Sequence, residues 1–217
     1  MRRIYLLPLF ALIASAMFAQ DIALAKPPAK LGIDVLEAIR TRSTARAFVK
    51  KDASVADLST IVWAGNGLKG TPDAVSAASK AGSTIPVAGD LDYINLYVLT
   101  AKGAYRYEPE GNVLKSVNAK DVRTEVTPEN IPTAAFIVLF TVDNAKAPSF
   151  LKGNPGMFRE IANGTASYSA QNIGLVASGL KMSSIVMYNI KPNAIAAALK
   201  LSKDESALFI MQLGYSQ

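Results

Sequence analysis

Histidine and cysteine are both absent from the 217 residues. Their absence excludes imidazole-based triads, thiol nucleophiles, Cys/His zinc sites, disulfides and c-type haem attachment. Charge is sparse as well, at 18% of residues, and tryptophan occurs once. No basic run is interleaved with aromatic residues in the way nucleic-acid binders are, so no nucleic-acid partner is expected. The one long apolar run, from Ile4 to about Ala19, is ended by Gln20 and Asp21. It stops short of the ~20 uninterrupted apolar residues of a membrane anchor. Chemistry in this chain must come from carboxylates, hydroxyls, Lys/Arg, backbone amides or a borrowed cofactor.

The apolar run accounts for a mean hydropathy of +0.22. Arg2 and Arg3 precede it, and small-residue sites such as Ala23-Leu24-Ala25 follow it. This is the pattern of a secretory signal, with the cut after Ala19 or after Ala25. Residues 1–25 are therefore predicted to be a signal peptide, 26–32 a linker and 33–217 a single domain. The mature protein is expected to be periplasmic or secreted, with no membrane anchor after cleavage. Arg2-Arg3 also loosely matches a twin-arginine signal, the route for proteins folded around a cofactor, although an ordinary basic n-region reads the same way. Removing residues 1–25 takes away Arg2, Arg3 and Asp21 and changes the net charge from +6 to +5. A mildly basic protein without a long basic block suits a small anionic ligand better than a polyanion.

Lys26-Pro27-Pro28-Ala29-Lys30 reads as an extended linker. Ile33, Leu36 and Ile39 share one helical face. Ser54, with Asp57 three residues on, caps a second helix that Gly65 and Gly67 stop. The Gly/Ala/Ser/Lys-rich stretch 69–82 has no clear period and reads as a surface insertion. Residues 93–99 and 104–107 form a hairpin pattern, and 112–120 a further short strand and turn. Residues 134–140 are a continuous apolar run, read as a strand buried on both faces. A long apolar helix spans Phe158 to Leu180, followed by a strand at 183–188, a helix at 192–199 and a final strand at 207–214. The order specifies an α+β fold.

Gly65-Asn66-Gly67-Leu68-Lys69-Gly70 matches a dinucleotide fingerprint only as a string, since a helix rather than a strand precedes it. The segment Arg40 to Arg46 is more informative, with three arginines and three hydroxyls in seven residues. Arg42, Thr44 and Arg46 alternate, so an extended backbone points them to one side, where guanidiniums suit a phosphate. By composition alone a solvated basic loop is the plainer account. Trp63, Tyr105 and Tyr107 read as packing residues, and Gln171 and Asn172, in an apolar helix, require buried partners.

These residues carry a family pattern. The chain resembles the nitroreductase-like flavoproteins, specifically the SagB-type dehydrogenase branch. Residues Arg42 to Phe48 stand against a family R-R-S-x-R-x-F, and Leu58 to Ala64 against L-S-x-L-L-W-A. Pro86-Val87-Ala88-Gly89-Asp90 is similar to P-S-A-x-N, and Gly103 to Pro109 to the hairpin G-L-Y-x-Y-x-P. Ala170-Gln171-Asn172 resembles the central A-Q-N-L helix, and Leu213-Gly214-Tyr215 the closing G-Y-P. The resemblance implies a mostly antiparallel sheet flanked by helices in a domain-intertwined homodimer, with FMN at the subunit interface. It implies that Arg42, Ser43, Thr44 and Arg46 grip the FMN phosphate and ribityl chain. Pro86, Val87, Ala88 and Asp90 would line the isoalloxazine from the partner subunit, and backbone amides near Tyr188 and Asn189 would face its N5/O4 edge. The implied activity is hydride transfer through bound flavin to or from a small-molecule substrate, with no catalytic side chain assigned. Val87 and Asp90 depart from the family Ser and Asn, Thr165 stands where the central helix usually has Asp, and the basic C-terminal tail is missing. These departures carry a second reading, a degenerate binding module or flavin carrier on the same fold.

Overall fold

A computed structural model describes residues 20–69, 82–90 and 92–215, without the side chain of Asp90. The expected signal run through Ala19 and most of the 69–82 insertion lie outside the described residues. Among the described residues, seven strands and five α-helices follow one another as β1 (Ile22–Ala23), α1 (Val35–Thr41), α2 (Val55–Asn66), β2 (Ile94–Thr100), β3 (Gly103–Glu108), β4 (Val113–Asn118), α3 (Arg123–Val126), β5 (Phe136–Asp143), α4 (Pro155–Gly179), β6 (Met182–Met187), α5 (Pro192–Leu199) and β7 (Glu205–Tyr215). They build one antiparallel sheet in the order β1-β4-β3-β2-β5-β7-β6.

Period-two alternation sorts the strand residues onto two covered faces. On one side Phe136, Val138 and Phe140 of β5 meet Leu58, Ile61 and Val62 of α2 and Ala162, Ala166 and Ile173 of α4. On the other, Ile137 and Leu139 meet Val126 of α3 and Ile195 and Leu199 of α5. With helices on both faces, β5 reads as an unbroken apolar run although every neighbour is antiparallel.

The caps follow sequence chemistry. Ser54 accepts from the Asp57 amide at 3.0 Å, and Gly67 terminates α2. Gly65, expected to help stop the helix, lies inside it. A Cβ there would sit 2.8 Å from Ile173 Cδ1 and 2.9 Å from Leu96 Cδ1, so its role is the close crossing of α2 over α4 and β2. Helix α1 departs more sharply. It buries only Ala38, while Val35, Leu36 and Ile39 are 63%, 58% and 54% exposed. Seven residues expose a narrow contact to the rest of the chain, which leaves the apolar stripe on the outside.

The residues after Gln20 are built into the sheet. Ile22 and Ala23 pair with Leu114 and Val113, and Asp21 accepts from Lys115 Nζ at 2.8 Å and from the Ser116 amide at 2.9 Å. The Ala25 amide donates to Ser59 Oγ at 2.9 Å. A chain beginning at Gln20 is expected to be more stable than one beginning at Lys26 by about 2 kcal/mol, or roughly 4–8 °C in Tm. Thermal unfolding of the two chains checks this, and equal Tm values contradict it.

Across β2, β5 and β7, Glu205 accepts from Asn95 Nδ2, Tyr97 Oη and Thr141 Oγ1, and Arg106 donates to Asn95 Oδ1 at 2.9 Å. Burial, followed by the neighbouring Glu205 charge, pushes the Tyr97 hydroxyl well above the usual tyrosine value, and burial does the same for Tyr107. In the folded chain these hydroxyls stay protonated where the unfolded chain ionises. These two tyrosines therefore leave stability unchanged around neutral pH and lower it as pH rises above about 10. Denaturant titrations between pH 8 and 11.5 read the loss, and a flat profile contradicts it.

Candidate functional site

The arginine segment leaves α1 and runs along the free edge of β6. Arg42 closes the helix through its amide to the Ala38 carbonyl at 2.9 Å. Thr44 then bridges Ser184 in parallel, with Ala45 N donating to Ser184 O and Ser184 N to Ser43 O. This extended path separates the side chains by parity. Arg42, Thr44 and Arg46 line one cleft of about 400 Å³. Ser43 turns the other way, its hydroxyl 2.6 Å from that of Ser183. Phe48 anchors the segment's far end: it is buried, and a Cβ on Gly214 would lie 2.4 Å from its Cγ. Gly214 is thus the seat on which the aromatic ring rests.

The opposite wall of the cleft is α4, which contributes Ser167, Ala170, Gln171 and Gly174 at helical spacing. The Arg42 stem passes Gly174, whose added Cβ would come 3.4 Å from Arg42 Cδ. Val186, Phe209 and Met211 give an apolar floor. Tyr188 stands at the rim, 66% exposed, with its ring 5.2 Å from that of Phe209. Arg42 Nη1 reaches Thr44 Oγ1 at 3.4 Å, and among the described residues neither Arg42 nor Arg46 has a carboxylate partner. Two unneutralised guanidiniums beside a hydroxyl and over an apolar floor make a receptor for an anion with a flat apolar body.

The remaining sequence-derived residues lie elsewhere. Pro86, Val87 and Ala88 face Ile161, Gly164, Thr165 and Tyr168 across a second recess of about 390 Å³. Gly89 turns this segment with φ 72° and ψ 14°, and the Asp90 side chain is outside the described part. Asn189 is not in the cleft: its Nδ2 donates to Glu129 Oε1 at 2.7 Å and its carbonyl accepts from Thr127 Oγ1. Asn172 is satisfied within the chain by the Ala64 and Thr84 carbonyls, whereas Gln171 reaches the cleft. Trp63 donates to the Leu68 carbonyl, and Tyr105 and Tyr107 pack into the core. The sequence reading missed Ser167, Gly174, Phe209 and Met211. The i, i+3, i+4, i+7 run of small and polar residues from Ser167 to Gly174 was the available signal for the helical wall.

The nitroreductase family model matches residues 39–215, nearly the whole described domain. The chain belongs to the nitroreductase family. Similar solved structures include a protein from Ralstonia eutropha JMP134 named as a nitroreductase, at 20% identity and a TM-score of 0.78, with 92% of this chain and 90% of that chain covered. The McbBCD microcin synthetase complex of E. coli aligns at 15% identity and a TM-score of 0.66, covering 100% and 85%. The NADPH:FMN oxidoreductase of Vibrio harveyi, complexed with NAD+, aligns at 16% identity and a TM-score of 0.58, covering 84% and 69%. No curated protein is detectably similar to the chain in sequence. At these identities the structural neighbours share a fold with this nitroreductase-family chain, and its chemistry has to be argued from its own cleft.

Gly214→Ala is expected to push Phe48 off its seat and destabilise this nitroreductase-family domain by roughly 1–3 kcal/mol. Amide hydrogen exchange should quicken at Ala45 and Val49, which the segment's backbone bonds now protect. Unchanged exchange there, with an unchanged Tm, contradicts the role given to Gly214.

Proposed function

We infer that the protein is an FMN-dependent oxidoreductase that passes hydride through the flavin to or from a small substrate, working as a homodimer in an exported compartment. The observation that carries this reading is the cleft itself, which Arg42, Thr44 and Arg46 line together without an acidic partner among the described residues. Membership of the nitroreductase family supports the oxidoreductase class, and the neighbour from Vibrio harveyi is named as an NADPH:FMN oxidoreductase.

The residues present fit FMN. Arg42 and Arg46 are placed to meet a phosphate dianion with paired N–H groups, with Thr44 between them. Val186, Phe209, Met211 and Tyr188 offer apolar and aromatic contact for a ring system. When bound, the flavin supplies the redox chemistry, which accords with a chain that has no His or Cys to offer. The protein's own part is to grip the phosphate, orient the ring and exclude water around it.

A second copy of the chain completes the proposed site. The Pro86–Asp90 segment borders a recess separate from the arginine cleft, on a neighbouring stripe of α4. Exposed apolar side chains lie on α4, which walls both recesses, at Met157 and Tyr168, and on α1, which packs on α4 and leads into the arginine segment, at Leu36 and Ile39. Exposed apolar side chains of this size favour burial against another protein surface. Pairing two chains would bring one copy's segment to the other's arginine cleft. Export rests on the basic, apolar and small-residue pattern before Gln20, and the pairing of β1 with β4 favours a cut after Ala19 over one after Ala25.

The test is the visible spectrum of the mature protein purified from its own compartment. About one FMN per chain is expected, released by acid and reduced by a suitable electron donor. Arg46→Ala should weaken FMN binding by roughly 10- to 100-fold, the worth of a charge-assisted contact. A colourless protein that does not take up added FMN overturns the reading. Bound flavin that no donor reduces would favour the carrier reading instead.

A further inference from the structure

The second recess has an internal support that neither the sequence pattern nor the family assignment specifies. Tyr93, just before β2, is completely buried, with its ring edge-on to Phe158 at 5.2 Å and 74°. Its hydroxyl has two partners. The Ala88 amide donates to it at 3.2 Å, and Thr165 Oγ1 on α4 lies 3.0 Å away. Thr165 is itself only 3% exposed. The Tyr93 carbonyl accepts from the Asp143 amide at 2.8 Å, which ties the residue to the end of β5.

We propose that Tyr93 and Thr165 are positioning residues that fix the Pro86–Asp90 segment in the shape it presents to the partner's flavin. The inference rests on the FMN reading above. Ala88 N–H points inward to the tyrosine, so this amide serves the clamp and is withdrawn from any ligand. The segment is confined from its other side as well, where an added Cβ on Gly89 would lie 3.2 Å from Pro148 Cγ. A half-buried hydrogen bond to a buried tyrosine at Ala88 and the proline beside Gly89 hold the segment at two consecutive residues. Gly89 takes a left-handed turn there. Tyr93 Oη thereby joins the segment to the helix that also walls the arginine cleft, and sets the register between the ring-facing and phosphate-facing surfaces of α4.

Tyr93→Phe keeps the ring and its packing on Phe158 and removes only the bridge. Thr165→Val does the same from the helix side, and Thr165→Ser restores the hydroxyl. In the flavin-free protein, Tyr93→Phe and Thr165→Val are expected to speed hydrogen exchange at the Ala88 amide. In the FMN-loaded protein they should weaken FMN binding ~10-fold, Tyr93→Phe because the Ala88 amide loses its acceptor and Thr165→Val because the tyrosine hydroxyl loses the partner that orients it. They should also shift the flavin midpoint potential, while affinity for inorganic phosphate at the arginine cleft stays the same. The double variant should be no worse than either single one, and Thr165→Ser should behave as wild type. If Tyr93→Phe lowers Tm but leaves FMN affinity and midpoint potential unchanged, the pair is structural and the proposal fails while the flavin reading stands. If the wild-type protein binds no FMN, the flavin reading fails first and the proposal falls with it.

Discussion

The whole arrangement depends on how closely α4 lies against the sheet. Its buried face is built from small residues, Ala162, Ala166, Ala170 and Ala177, with Phe158 and Ile173 as the larger contacts. Gly65 of α2 and Gly174 and Gly179 of α4 allow further close approaches, to Ile173, to the Arg42 stem and to Leu31. Close packing of this kind transmits position, because a well-filled interface leaves a side chain few alternative places. One 25-residue helix consequently walls both recesses, one through Ser167, Gln171 and Gly174, the other through Gly164, Thr165 and Tyr168.

The arginine segment shows a second use of the same economy. Arg42 to Arg46 could have been a solvated loop. It is instead an extended segment bridged to the edge of β6, held at its start by Ala38, in its middle by Ser184 and at its end by Phe48 on Gly214. The edge of a sheet offers unpaired backbone groups, and here they are spent on fixing an extended backbone whose parity selects Arg42, Thr44 and Arg46 for the cleft. Positive charge without a carboxylate beside it is costly to gather, and among the described residues Arg42 and Arg46 have none, which suits the cleft to an anion.

Much of the framework was legible because local physics is strong at those places. The Ser54–Asp57 cap, the hairpin around Gly103 and the unbroken apolar run of β5 each carry their signal within a few residues. Other features depend on partners distant in sequence. Nothing within residues 33–40 announces that the Leu36–Ile39 stripe faces outward, since helical periodicity identifies an apolar side but not what covers it. Similarly, Ile22–Ala23 reads as the tail of a leader until Leu114 and Val113 are brought beside it. Ser43 carries a motif hydroxyl, yet only the path along β6 reveals that this hydroxyl meets Ser183.

The sequence by itself determined the α+β class, the absence of imidazole and thiol chemistry, the approximate places of most long elements, and the alternation that groups Arg42, Thr44 and Arg46. Those properties follow from composition and from periodicities of 2 and 3.6 residues, which are local. Only the tertiary structure decided that Asn189 turns away from the cleft, that Gln171 enters it while Asn172 is satisfied internally, and that Pro86–Ala88 border a separate recess. It also tied Ala88 to Thr165 through Tyr93, across 72 residues between Tyr93 and Thr165. Such pairings are set by the packing of α4 on the sheet, and no window of local sequence contains both partners.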